Sequence, residues 1–226
     1  MRKTLFIAIC VLFLSAKAVA LAHQPRLVES DFTLIEKPEV SQAFYGELKG
    51  EPDFFQIQAE KPIKLYVGIL VPNVENIDKD VSVEVSKDDE FYYLLDGLNF
   101  EWQAFYEEFA GDDYFKGSEL SAEEEGGLPQ GVEAEAGVYT LKVFSPDNQG
   151  KYVLVVGEKE EFPLNETIKT IVVLPQLKLF FNKSPLTAYF NLIGLFMLIF
   201  LLFVLGISVL IFFLVKRIRK QGMFLK

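Results

Sequence analysis

Apolar positions along the chain fall into three regimes. Residues 5–14 form an unbroken apolar run of about ten residues, too short to cross a bilayer core. Residues 192–215 form a second run of about 24 residues without a charge, long enough for a tilted span of that core. Between them, apolar and polar side chains alternate with period two in short stretches: 32–35, 43–48, 54–59, 63–71, 81–85, 91–95, 137–144 and 151–157. Such alternation predicts strands, and the Ser145-Pro146-Asp147-Asn148-Gln149-Gly150 segment predicts a hairpin joining the last two. Short strands punctuated by Gly, Pro and Asn, with no helices interleaved, predict a mainly β domain: an antiparallel β-sandwich, jelly-roll-like, followed by one C-terminal transmembrane helix.

Three segments depart from period two. In residues 100–109, Trp102, Phe105, Tyr106 and Phe109 recur at i, i+3, i+4 and i+7, the spacing of a short amphipathic helix. Residues 118–135 are acidic, Gly-rich and poor in large apolar side chains, which predicts a flexible loop, disordered around residues 123–127. Residues 164–174 have a helical pattern after Pro163, with Pro175 set to end or kink the helix. Beyond it, Leu177, Leu179, Phe180 and Phe181 interleave with Lys178 and Lys183. This stem, residues 163–185, is expected to lie against the outer membrane surface, with packing on the sandwich as the alternative.

Charge assigns direction to the layout. Met1-Arg2-Lys3 precedes the first apolar run, and Ala20-Leu21-Ala22 follows it as a small-x-small cleavage site, so residues 1–22 are expected to be a signal peptide. The expected ectodomain is then residues 23–162, the membrane segment 186–215, and the tail 216–226. That tail carries Lys216, Arg217, Arg219, Lys220 and Lys226 and no acid, which places it in the cytoplasm by the positive-inside rule. All 32 Asp and Glu lie between Glu29 and Glu166, and 14 of the 22 Lys and Arg accompany them outside, a balance of about −18. Nucleic acid and anionic lipid surfaces would be repelled by such a domain. The expected partners are the bilayer, through the C-terminal helix, and a ligand or protein outside it.

Composition also limits the chemistry. The one cysteine, Cys10, falls in the signal run, and the one histidine, His23, falls at the expected mature start. Cysteine- or histidine-based nucleophilic triads and His-based zinc sites are therefore excluded from the mature body. The lack of cysteine fits an exported prokaryotic protein, which folds on its core without disulfides. Carboxylates remain. Glu107, Glu108, Asp112 and Asp113 cluster around Gly111 and are candidate ligands for calcium, the one cofactor the sequence suggests; a solvated acidic turn is the plain alternative. Tyr92, Tyr93, Trp102, Tyr106 and Tyr114 are candidates for an aromatic binding surface, set against ordinary burial in the core.

Two blocks carry a family resemblance. Ala136-Gly137-Val138-Tyr139-Thr140-Leu141-Lys142-Val143 and Gly150-Lys151-Tyr152-Val153-Leu154 form one. Tyr45-Gly46-Glu47-Leu48, Asp53-Phe54-Phe55 and Ile63-Lys64-Leu65-Tyr66-Val67 form the other. Together they resemble bacterial pre-peptidase C-terminal domains. The resemblance implies a jelly-roll-like sandwich of the kind that accompanies secreted enzymes or binds polymers, sometimes with calcium. The chain is expected to be a membrane-anchored, non-enzymatic binding or scaffold module. The alternatives are an accessory subunit whose stem and helix pack on a partner and, more distantly, a carboxylate-based hydrolase.

Overall fold

A computed structural model describes residues 23–107, 110–122 and 130–222. The expected signal peptide and the Glu123-Glu124-Glu125-Gly126-Gly127 run lie outside the described residues. The period-two stretches become two facing sheets. One has six strands in the order β1 (Gln24–Leu27), β3 (Gln42–Lys49), β13 (Gln149–Val156), β6 (Val67–Pro72), β10 (Asp112–Leu120), β9 (Gln103–Glu107). The other has five: β2 (Phe32–Leu34), β4 (Asp53–Ala59), β12 (Gly137–Phe144), β7 (Ser82–Lys87), β8 (Glu90–Leu95). A short pair, β5 (Ile63–Leu65) and β11 (Val132–Ala134), lies beside them. Pairing is antiparallel except where β1 joins β3 and β2 joins β4.

The core is the space between the sheets, filled by alternate residues of the central strands. Phe55 and Ile57 of β4, Tyr139, Leu141 and Val143 of β12, and Val83 and Val85 of β7 face Phe44 of β3, Ile69 of β6, and Tyr152, Leu154 and Val156 of β13. Phe44 and Phe55 meet edge to face across it at 5.3 Å between ring centroids. Burying each such side chain is worth about 1.5–3 kcal/mol, so the sandwich needs no covalent staple.

The predicted hairpin is corrected. β12 and β13 are consecutive but belong to opposite sheets, so the segment 145–148 crosses the core instead of closing a ladder. Both strands bury one face in the same core, so each pairs with its own sheet: β12 with β4 and β7, β13 with β3 and β6. The predicted helix over 100–109 is also corrected. Residues 103–107 form β9, paired with β10 from Asp112↔Glu107 to Lys116↔Gln103. A helix of that length is marginal alone, and the open edge of β10 offers a full register of backbone bonds instead. The acidic loop is shorter than expected, since β10 runs to Leu120 and β11 starts at Val132.

After the sandwich come α1 (Leu164–Phe180), a 3₁₀ turn (Pro185–Tyr189) and α2 (Leu192–Gly222). Pro175 sits inside α1, which continues past it to Phe180, so of the two expected outcomes, an end or a kink, the helix does not end there. The stem takes the alternative placement on one face. Leu174, Leu177 and Phe181 are buried against Tyr45, Ala43, Tyr114 and Val153 of the sandwich and against Ala188 and Ile193. α2 is long and apolar enough to cross a membrane, with mean hydropathy 3.3 over an 18-residue window within Leu192–Ile218.

Candidate functional site

The residues of the family resemblance converge on one structural unit. Gly46 lies on β3 beside Tyr152 on β13, and a Cβ built at Gly46 would stand 2.3 Å from the Tyr152 ring. The missing side chain lets that ring lie flat across β3 and reach the first residue of β4. There the Tyr152 hydroxyl donates to Asp53 Oδ2 at 2.5 Å. Burial pushes the Asp53 carboxyl above its usual range, the Tyr152 bond working against that rise, while burial and the neighbouring carboxylate push the Tyr152 phenol up. The three motif positions thus tie the two sheets together. Tyr139 closes the other end, its hydroxyl donating to the Glu135 carbonyl at 2.7 Å. This arrangement is a brace between the sheets, with Gly46 and Asp53 also lining a cavity beside β3.

The carboxylate cluster sits at the β9–β10 turn, where the stem docks. Asp112 is buried, its Oδ2 accepting from Lys178 Nζ at 2.8 Å and its Oδ1 from Lys183 Nζ at 3.1 Å. Lys178 also donates to the Ala110 carbonyl at 2.7 Å, and Lys183 to that of Gly111 at 3.2 Å. Asp113 lies half in solvent, 3.5 Å from Lys183. Glu107 accepts from the Ala110 N–H at 2.7 Å. Glu108 lies outside the described residues. Asp112, one of the four carboxylates the sequence suggested for calcium, is therefore paired with two ammonium groups. Among the described residues no group of three or more His, Cys, Asp and Glu is arranged to hold a metal. The signal for the clamp was present only as two lysines among apolar stem residues, one of which, Lys178, the fold buries.

The same turn grips the start of α2. Asn191 donates from Nδ2 to the Ala110 carbonyl at 2.7 Å and accepts the Gly194 N–H on Oδ1 at 3.1 Å, capping the helix. Gly194 is needed because its missing Cβ would stand 1.6 Å from the Tyr189 carbonyl oxygen. β10, α1 and α2 are joined here through one carbonyl, that of Ala110.

The five candidate aromatics do not form one surface. Tyr114 is buried under the stem, its hydroxyl 3.0 Å from that of Tyr45 and its ring 5.0 Å from Phe181. Burial, with Asp112 and Glu107 nearby, pushes its phenol well up. Trp102 is half-buried against the core, its ring over Gly117 and its Nε1 donating to the Gly97 carbonyl at 2.8 Å. Tyr92, Tyr93 and Tyr106 remain exposed. They are not alone: Phe91 is 71% exposed, and Leu94, Leu98, Phe100 and Phe105 are also exposed. These residues follow β8, the 96–102 connection and β9. β8 and β9 are the outer strands of their sheets, with no strand beyond either among the described residues. Phe105 is not among the sequence candidates because the spacing in 100–109 set it on one face of an expected helix, and Phe91 because it opens the expected strand 91–95.

A cavity of about 400 Å³ lies between the edges of β1 and β2 and the start of α1. On its wall Arg26 reaches Glu166 at 2.7 Å and Gln24 at 2.6 Å, and Lys169 reaches Glu166 at 2.8 Å. His23 bonds Ser41 Oγ through Nδ1 at 2.5 Å, and burial lowers its pKa to about 4. It is a neutral packing residue at the mouth of β1.

No family model and no curated protein matches the chain. Among solved structures, it is similar to the pre-peptidase C-terminal domain of a collagenase from Bacillus anthracis, at 11% sequence identity, over 60% of this chain and 95% of that one, with a TM-score of 0.30.

Proposed function

We propose that this protein is a single-pass, membrane-anchored binding module without enzymatic activity. Its sandwich lies outside the membrane and its basic tail in the cytoplasm. The ligand it takes is an extended polypeptide, added along the open β8 and β9 edges. The carrying observation is that both outer strands on this side leave their ladders open and surround them with exposed Phe91, Tyr93, Phe105 and Tyr106. Main-chain groups of an edge supply affinity to an added strand, and flanking aromatics supply contact area and choice of side chain. A long exposed edge of this kind invites self-association unless a partner covers it.

Two of the described titratable groups are held in structural contacts: His23 is half-buried and bonded to Ser41, and Asp112 is paired with two lysines. The test is photo-crosslinking of the full chain in its native membrane, with the reactive residue at Phe91 or Tyr106 and, as control, at Lys61 on the β4–β5 turn. A protein adduct from the edge positions but not from Lys61 is expected. Adducts that form only from α1 or α2 positions would move the interaction to the stem and favour an accessory subunit. Absence of any adduct at the edge would remove the proposed site.

A further inference from the structure

α1 is apolar on two faces, and the sandwich covers only one of them. On the covered side Leu174, Leu177 and Phe181 are buried, each at most 4% exposed. On the other, Leu164, Ile168, Val172 and Leu179 are exposed at 76, 53, 68 and 58%. At about 100° per residue these four fall within roughly 80° of one another, one stripe along the whole helix. The 3₁₀ turn extends the stripe. It packs on α1, where the Tyr189 hydroxyl donates to the Ile171 carbonyl at 3.0 Å, next to Val172. Its own Leu186 and Phe190 are the most exposed large apolar side chains of the segment, at 80 and 85%. Phe190 is then separated from the apolar α2 by Asn191 alone.

We propose that this stripe is a membrane-seating surface: α1 and the 3₁₀ turn rest on the outer leaflet, the stripe sunk among the upper acyl chains, while their other face holds the sandwich. The inference rests on the reading of α2 as the membrane anchor and adds where the domain sits on the lipid. The occupant follows from three observations. The stripe is continuous with α2, whose most apolar stretch has no residue buried in the protein. No Asp or Glu follows Glu166 in the chain, although all 32 precede or include it, so the segment beneath the acidic domain brings no free carboxylate to the leaflet. Glu166 itself is turned to Arg26 and Lys169. Finally, soluble surfaces rarely leave contiguous apolar patches of this kind uncovered, and a helix with one apolar face in the acyl boundary is the common interfacial arrangement.

The test uses the full chain reconstituted in vesicles containing lipids brominated at shallow or deep acyl positions. Trp102→Phe removes the native tryptophan, and single tryptophans are then placed by Val172→Trp, Phe203→Trp and Lys61→Trp. Strong quenching of the position-203 tryptophan by deep bromines is expected, with strong quenching at 172 by shallow bromines and none at 61. Quenching at 203 without quenching at 172 would overturn the seating surface and leave the anchor standing. Loss of quenching at both would overturn the anchor as well. An apolar, unquenched emission at 172 would mean that a protein covers the stripe, and would also overturn the proposal. Ile168→Trp repeats the measurement one turn away, should the change at 172 disturb the helix.

Discussion

Lys178→Met isolates the clamp between stem and sandwich. Both side chains of the Lys178–Asp112 pair are 2% exposed, and removing one partner of a buried pair leaves a charge without compensation, which costs about 3–5 kcal/mol. Asp112 keeps Lys183 on its other oxygen, but Lys183 is 35% exposed and screened by solvent, so the low end applies. The loss falls on the docking of α1, because β10 stays paired with both β6 and β9. A cost of about 3 kcal/mol raises the opening equilibrium of α1 roughly a hundredfold. Hydrogen exchange of the full chain in nanodiscs reads this directly, in peptides covering 173–181. Those peptides should exchange far faster in the variant, with the sheets unchanged. Adding Asp112→Leu should recover much of the protection, because a well-packed apolar pair replaces a buried ionic one at little cost. Exchange in Lys178→Met within threefold of the parent, at about 0.6 kcal/mol, would refute the clamp.

The brace between the sheets yields a further prediction. Tyr152→Phe strips the buried Asp53 of its donor and should cost about 1–3 kcal/mol in urea unfolding, while Gly46→Ala drives a methyl into the Tyr152 ring and should cost at least as much. Equal stability of either variant and the parent would contradict the close approach. Glu166 gives a pH dependence. Its bonds to Lys169 and Arg26 hold its pKa below the usual carboxylate value of 4.5, so its stabilisation is full above 4.5 and fades as pH falls through the lowered value. The melting-temperature gap between the parent and Glu166→Gln should therefore be wide at neutral pH and narrow at pH near 3; a constant gap would argue against the charge pairing.

Strands were legible wherever one face is buried and the other wet, because period two is then imposed by the core itself. Residues 81–85 and 137–143 show this, alternating as the sandwich requires. Which strands pair was not legible. The β12–β13 connection has turn chemistry suited to a hairpin, yet the same residues serve as a crossover when both strands bury a face between the sheets. The segment around Trp102 misled for a related reason. A spacing of three and four residues also arises by chance in a strand preceded by a loop: Trp102 packs on the core, while Phe105 and Tyr106 are exposed. The clamp was invisible because Lys178 and Asp112 lie 66 residues apart and look like solvated charges in isolation. The two-sided stem hid its geometry by being apolar on both faces.

The single carbonyl of Ala110, which receives both Lys178 and Asn191, leaves the junction without a swivel. A domain on a slack leash would sweep a hemisphere above its anchor and meet ligands at any height or heading. With α2 in the bilayer as proposed, a domain held through that carbonyl would keep a constant elevation and turn only with its helix. Its search would then be reduced to two-dimensional diffusion and spin in the plane of the bilayer. Ligands lying at the matching height would be met repeatedly, and those further out would be passed over whatever their affinity.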